Sequence, residues 1–152
     1  MQPRIGNPAF IVPDAMAALQ ALGAAVGNGD LPDTTIHLVL LRASQINGCG
    51  VCLDGHYRSA KKAGEADERI ATVAAWRETP YFTDAERAAL ALTEAVTRIC
   101  DRPDPVPDEV WDEAARHYDE PALGTLVLAI ANINVWNRLN VATRQVSGAV
   151  EW

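Results

Sequence analysis

Apolar residues recur at helical spacing along much of this chain. In the segment that follows Pro32, they fall three or four positions apart, at Ile36, Val39, Leu40, Ala43 and Ile46. This spacing predicts an amphipathic helix, and the turn-forming pair Asn47 and Gly48 should end it. No segment alternates apolar and polar residues between turn signals as a strand would, so the predicted fold class is all-α.

Two further helices are predicted in the first half of the chain. One begins at Cys49 and should end near Gly64, after two lysines, as expected for a basic last turn followed by a glycine. The other covers residues 67–79 and must stop before Pro80, because the residue that precedes a proline disfavours helical geometry.

The second half of the chain carries clear helix start signals. Thr83 and Glu86 form a capping box, which predicts a helix after them. Another helix should follow the proline-rich DRPDPVP, and the last, long helix should begin near Pro121. The DRPDPVP connection is short enough to join two helices, so residues 1–152 are expected to form a single domain.

Composition narrows the class of function. The chain of 152 residues has a net charge of −7, which argues against partners such as nucleic acid or anionic membrane surfaces. Its most apolar stretch, ALGTLVLAIANINVW, is about 15 residues long, and a membrane-spanning helix needs about 20. The N-terminus does not resemble an export signal, so a cytoplasmic location is expected. No cofactor is predicted.

The segment INGCGVCLDGH holds the candidate chemistry. On a helix, Cys49, Cys52 and His56 would share one face. The helix N-terminus and the imidazole would both favour a thiolate, and the second thiol could attack an intermediate formed on the first. We therefore predict that Cys52, nearer His56, is the nucleophile. Cys49, at an expected exposed helix start, would be the resolving thiol and the first contact for an external reductant.

The same residues admit other interpretations. A c-type haem site needs His directly after the second cysteine, where this chain has Leu53, and a thioredoxin motif should follow a strand. A zinc site formed by Cys49, Cys52, His56 and His37 stays open, although its spacing matches no standard zinc finger. Simple packing also stays open, and it is the expected role of the isolated Cys100.

The segment LRASQINGCGVCLDGHYRSAKKAGE resembles the core signature of the AhpD-like alkylhydroperoxidases, within the carboxymuconolactone decarboxylase superfamily. The resemblance continues through AAWRETPYFTDAERAALALTEAVT and AIANINVWNRLNVATR, from about Leu31 to Arg144. It implies an AhpD-like helical bundle that assembles as a homo-oligomer, either a trimer or a hexamer. It also implies reduction of small-molecule hydroperoxides by a dithiol reductant, which in this family can be a lipoyl-bearing protein.

The resemblance assigns roles that agree with those derived from the residues. In the family the second cysteine reacts with the peroxide, the first resolves, and the histidine at the position of His56 joins a proton relay. The chain departs from the family pattern in that His37 stands where a glutamate is usual, and Val51 where some members have a second histidine. His37 is therefore expected either to substitute in the relay or to weaken it. The alternative within the superfamily is a non-redox decarboxylase, whose members generally lack the cysteine pair.

Overall fold

The computed structural model describes residues 1–148, apart from the side chain of Asp101. Within this range no strand is present, and the chain forms eight α-helices, which confirms the predicted all-α class. They are α1 (Pro8–Ile11), α2 (Ala15–Gly27), α3 (Asp33–Asn47), α4 (Gly50–Lys62), α5 (Asp67–Thr72), α6 (Asp84–Thr97), α7 (Asp108–His117) and α8 (Glu120–Thr143). Short 3-10 segments occupy Val73–Glu78 and Ile99–Asp101.

The local signals end and start helices where the sequence predicts. Gly48 and Gly64 follow α3 and α4 with φ of 66° and 86°, a left-handed conformation that glycine adopts without steric cost. At the start of α6, the Thr83 side chain accepts from the backbone N–H of Glu86, and the Glu86 carboxylate accepts from the N–H of Thr83. This confirms the capping box.

Three helical regions differ from the sequence-based prediction, and one of them is the four-residue α1, which was not predicted. The helix predicted over 67–79 divides into α5 and the 3-10 segment Val73–Glu78, with a kink at Ala75, where φ is −116°. In addition, α2 has no counterpart in the prediction. Its sequence AMAALQALGAAVG is almost entirely alanine, glycine and leucine, so it lacks the contrast between polar and apolar positions on which periodicity depends.

Helix α3 lies at the centre of the molecule and packs against α4, α6 and α8. The larger core cluster joins α3, α6 and α8 through fully buried side chains such as Val39, Leu92, Leu126 and Ile130. A second cluster packs Leu38 against the 3-10 segment and α6. Burying one such side chain contributes about 1.5–3 kcal/mol. Contacts of this kind on several sides fix α3 in place, and with it the α3–α4 junction at its C-terminal end.

An ion-pair cluster, formed by Arg42, Trp76, Arg77 and Glu94, joins α3, the 3-10 segment and α6. The Glu94 carboxylate accepts hydrogen bonds from Arg42 Nε at 2.7 Å, Trp76 Nε1 at 3.0 Å and Arg77 at 2.8 Å. These bonds hold the pKa of Glu94 below its usual value, even though burial alone would raise it. The charge is thus paired from several directions, as a buried carboxylate requires.

None of the helices among the described residues is both long and apolar enough to cross a bilayer. Helix α8 nevertheless exposes Leu128, Val135 and Val141, and α1 exposes Phe10.

Candidate active site

The α3–α4 junction places both cysteines of the motif. Gly48 ends α3, and Cys49 then serves as the N-cap of α4, with its sulfur accepting the backbone N–H of Cys52 at 3.3 Å. Cys49 and Cys52 are joined by a disulfide, with their Cα atoms 5.4 Å apart. The sequence therefore positions the pair correctly, and the structure shows its oxidised state.

The exposure of the cysteines differs from two expectations. Cys49 was expected at an exposed helix start, but it is only 1% exposed, as is Cys52. The reason is that α8 covers the junction, where Ile133 and Trp136 pack against the pair. Cys100 was expected to be packed, yet it is exposed, because it lies in the 3-10 segment that follows α6.

Cys52 opens onto a cavity of about 410 Å³, which we call the Cys52 cavity. His37 of α3 and His56 of α4 also line it. The rest of its wall is mostly apolar and comes from α2, α3 and α8, including Val26, Ile36, Leu40, Ile133 and Trp136. Three of the four predicted site residues thus meet at one cavity.

Burial at the Cys52 cavity affects the protonation of His56. Burial, with a smaller contribution from the nearby His37, lowers the pKa of His56 from 6.5 to about 4. At neutral pH, with the disulfide closed, His56 is therefore an uncharged imidazole that can accept a proton.

Two polar atoms at this cavity's lining residues accept or donate no hydrogen bond. They are Nδ1 of His37 and Oδ1 of Asn132, and both atoms are buried. Buried polar atoms are normally satisfied, and a ligand or water in the cavity could satisfy them. This observation marks the cavity as a place that receives polar groups as well as apolar ones.

An amide cluster, formed by Ser44, Asn47, Asn134 and Asn137, joins α3 to α8, and Arg138 donates to Oδ1 of Asn134 at 2.9 Å. Asn47 Nδ2 donates to Oδ1 of Asn134 at 2.9 Å and of Asn137 at 2.8 Å, and Asn137 donates to the Ser44 hydroxyl. Further along α8, Asn140 donates to the sulfur of Cys52 at 3.3 Å.

Sequence reasoning missed this amide cluster and Asn140. The available signal was three asparagines spaced three apart on an otherwise apolar helix, at 134, 137 and 140, which share one helix face. All three are buried. The hydrogen bonds of Asn137 to Asn47 and Ser44 join α8 to α3.

Cys49 lies at a different cavity. This Cys49 cavity has a volume of about 180 Å³, and its wall includes Gly48, Gly50, Asn140 and Arg144. It shares no lining residue with the Cys52 cavity. The two cysteines of the disulfide therefore line separate cavities.

The zinc arrangement considered from the sequence is not formed. Across residues 1–148, no three His, Cys, Asp or Glu side chains are grouped so that they could hold a metal ion. Cys49 and Cys52 are bonded to each other instead.

Taken together, the fold and the site define an α-helical protein with a buried C-x-x-C disulfide at a helix N-terminus, beside two histidines. The chain belongs to the carboxymuconolactone decarboxylase family, whose model matches residues 13–95. This confirms the resemblance drawn from the sequence.

Relatives and solved structures agree with this assignment. The uncharacterized protein YdfG of Bacillus subtilis (strain 168) is 38% identical over 132 residues, which are 87% of this chain and 88% of that protein. The alkyl hydroperoxide reductase AhpD of Methylocella silvestris is 34% identical over 89 residues, covering 59% of this chain and 45% of that enzyme. ATU0492 of Agrobacterium tumefaciens, a protein of unknown function described as a candidate antioxidant defence protein AhpD, has a similar structure, with a TM-score of 0.90, 36% identity and coverage of 99% and 100%.

Proposed function

We propose that the protein is a thiol peroxidase that reduces organic hydroperoxides through a cycle of the Cys49–Cys52 dithiol and disulfide. The observation that carries this proposal is the disulfide itself, with one sulfur opening onto an apolar cavity that also holds His37 and His56. The similarity to an alkyl hydroperoxide reductase supports it.

The chemistry balances with these residues alone and an external dithiol. The Cys52 thiolate attacks the distal oxygen of the hydroperoxide, forming a sulfenic acid and releasing an alkoxide, which takes a proton to become the alcohol. The Cys49 thiol then attacks the sulfenic sulfur, forming the disulfide and releasing water. A dithiol restores the pair by two exchange steps and is itself oxidised to a disulfide.

His56 has the properties that the proton transfers need. It is one helical turn from Cys52 and lines the same cavity, so its imidazole is placed to take the thiol proton and pass it to the departing alkoxide. His37, on the wall of the same cavity, is proposed as the second member of the relay, in place of the glutamate usual in the family. Its buried Nδ1 has no hydrogen-bond partner, so it is open to exchange a proton with a ligand.

The shape of the cavity favours a substrate with a hydrocarbon body. A volume of about 410 Å³ with a mostly apolar wall exceeds what hydrogen peroxide would fill. Apolar surface buried there gains about 25 cal/mol per Å², so an organic hydroperoxide should bind better than hydrogen peroxide.

The test is peroxide consumption by the reduced protein, with cumene hydroperoxide as substrate and dithiothreitol as reductant. We expect Cys52→Ser to abolish turnover, and Cys49→Ser to allow one fast reaction with peroxide followed by arrest at the sulfenic acid. Cys100→Ser is the matched control, since it removes an exposed thiol outside the cavities, and it should retain full activity.

A non-redox decarboxylase is the alternative within the family. It predicts that neither cysteine variant affects catalysis and that the reduced protein consumes no hydroperoxide beyond the rate of a Cys49→Ser/Cys52→Ser double variant. That result would overturn the peroxidase.

We further propose a homo-oligomer, a trimer or hexamer, that is located in the cytoplasm and recharged by a dithiol, with lipoyl groups on a protein as one such donor. The exposed apolar side chains of α8, such as Leu128 and Val135, support an assembly. Light scattering at micromolar concentration should show at least three copies, and a monomer would contradict it.

A further inference from the structure

The disulfide presents two sulfurs, and the chain gives each its own cavity. Cys52 lines the larger cavity with His37 and His56, whereas Cys49 lines the smaller one with Arg144. We propose that the two half-reactions use these separate entrances: the hydroperoxide reaches Cys52 through the Cys52 cavity, and the thiol reductant attacks Cys49 through the Cys49 cavity. The oxidative half of this inference rests on the proposed function, and the reductive half does not.

The direction of attack on a disulfide makes the entrance decisive. A thiolate attacks one sulfur and expels the other, so the sulfur that the reductant can reach determines which cysteine leaves. A thiol that arrives through the Cys49 cavity meets Cys49, forms a mixed disulfide there and expels Cys52 as the thiolate. The second thiol of the reductant then attacks the reductant sulfur that is bonded to Cys49, which closes the reductant's disulfide and releases the Cys49 thiolate.

The leaving group is better stabilised at Cys52. Each sulfur accepts one hydrogen bond, Cys49 from the backbone N–H of Cys52 and Cys52 from Asn140, both at 3.3 Å. The difference comes from His37 and His56, which share a cavity with Cys52 but not with Cys49. A departing Cys52 thiolate can take up a proton beside them, and it is then already in place for the next hydroperoxide.

The charges of the two cavities separate the two reactants. Arg144 lies at the Cys49 cavity, where its positive charge favours an attacking thiolate. Asp33 lies at the Cys52 cavity, where its negative charge disfavours one. The apolar wall of the Cys52 cavity instead suits a neutral organic hydroperoxide.

Two glycines allow a matched test, because each lines one of the cavities. A Cβ on Gly50, in the Cys49 cavity, would meet nothing within 4 Å. A Cβ on Gly23, in the Cys52 cavity, would meet only the Asn132 amide at 3.6 Å, an ordinary contact. Gly50→Leu and Gly23→Leu should therefore fold while each narrows one cavity, and circular dichroism would confirm their helix content.

The experiment measures the two half-reactions separately by rapid quench and thiol counting, in a Cys100→Ser background. Gly50→Leu should slow reduction of the disulfide by dithiothreitol at least about tenfold, because misplaced reactants lose that much rate, and should leave oxidation by cumene hydroperoxide within about twofold. Gly23→Leu should do the reverse. Val141→Trp, at an exposed position on the Cys49 cavity, repeats the first result if Gly50→Leu does not fold.

The outcomes are distinct. Trapping with a monothiol such as 2-mercaptoethanol should place the mixed disulfide on Cys49 in peptide maps. An adduct on Cys52, reduction slowed by Gly23→Leu instead, or no effect of Gly50→Leu and Val141→Trp on reduction would overturn the separate entrances. If the reduced protein reacts with no hydroperoxide, the peroxidase fails, but reduction still tests the entrance at Cys49.

Discussion

Helix α3 contributes residues to two polar clusters, the ion-pair cluster and the amide cluster, which differ in charge. The ion-pair cluster satisfies Glu94 with Arg42, Trp76 and Arg77, whereas the amide cluster between α3 and α8 is built from neutral side chains. A charge meets it only at its edge, where Arg138 donates to Asn134 at 2.9 Å. A charged cluster cannot lose one member without leaving a buried charge, so it holds α3 and α6 in a fixed relation. The chain therefore secures the α6 side of α3 with a carboxylate paired to arginines, and the α8 side with neutral amides that meet a charge at Arg138.

The largest expected effect breaks the ion-pair cluster. Glu94→Leu leaves Arg42, whose side chain is only 13% exposed, without its carboxylate. We expect a loss of about 3–5 kcal/mol in the free energy of unfolding, measured by urea denaturation. Asp54→Asn, which breaks an exposed pair with Arg58, is the control and should cost at most about 1 kcal/mol. Equal midpoints for both variants would contradict the structural role of Glu94.

The second prediction concerns the pH at which His56 and Glu94 each affect the stability of the fold. The pKa of His56 is about 4 in the folded, oxidised protein and about 6.5 when unfolded, so below pH 6.5 the unfolded state binds a proton that the folded state refuses. The contribution of His56 to the free energy of unfolding should therefore fall by about 3 kcal/mol as pH drops from about 6.5 to about 4. Below that pH, this contribution should stay constant.

Glu94 should act in a lower pH window. Its pKa is held below 4.5, so its stabilising contribution is present above that value and is lost only as pH falls through the lowered pKa. Urea unfolding at pH 7, 5.5 and 4.5 tests this division. His56→Gln should flatten the decline between pH 6.5 and 4.5, and an unchanged decline in that variant would place its origin elsewhere.

A smaller effect is expected at the amide that contacts the reactive sulfur. Asn140→Leu removes the donor to Cys52, and in the reduced protein this should raise the pKa of the Cys52 thiol. One hydrogen bond contributes about 0.5–1.5 kcal/mol, so the rise should be about one unit or less. Thiolate absorbance in a Cys49→Ser background measures it. Asn134→Leu, which alters the amide cluster without touching the sulfur, should leave this pKa in place.

The smallest expected effect concerns the interaction between the two histidines. His37 lowers the pKa of His56, but less than burial does. His37→Gln should therefore raise the pKa of His56 only partway toward 6.5, as observed by NMR titration of the oxidised protein. His37→Glu should raise it further, because a carboxylate favours the charged imidazole. If neither substitution moves this pKa, the two rings do not interact and the proposed relay is weakened.

Local sequence signals predicted the helices well where they depend on neighbouring residues. The capping box of Thr83 and Glu86 and the glycine at the end of α3 are contacts between residues close in sequence. The burial of Cys49 depends instead on α8, more than eighty residues later, which no local pattern reports. The same reason explains the missed bond between Asn140 and Cys52.

Family resemblance supplied what local patterns could not, and geometry then refined it. The motif brought Cys49, Cys52 and His56 to one segment, and the structure adds His37 to the same cavity as Cys52 and His56. The division of the two sulfurs between two cavities could not be predicted from spacing on one helix. It arises from the packing of α2 and α8 around that helix.

The disulfide spans only three positions along the chain. A crosslink restricts an unfolded chain according to the length of the loop it closes, and for so short a loop the stabilisation is roughly 2 kcal/mol, against about 4.7 for a loop of 100 residues. Most of the fold therefore does not depend on whether this bond exists. The bond can therefore be reduced and reformed many times while the helices around it keep their positions.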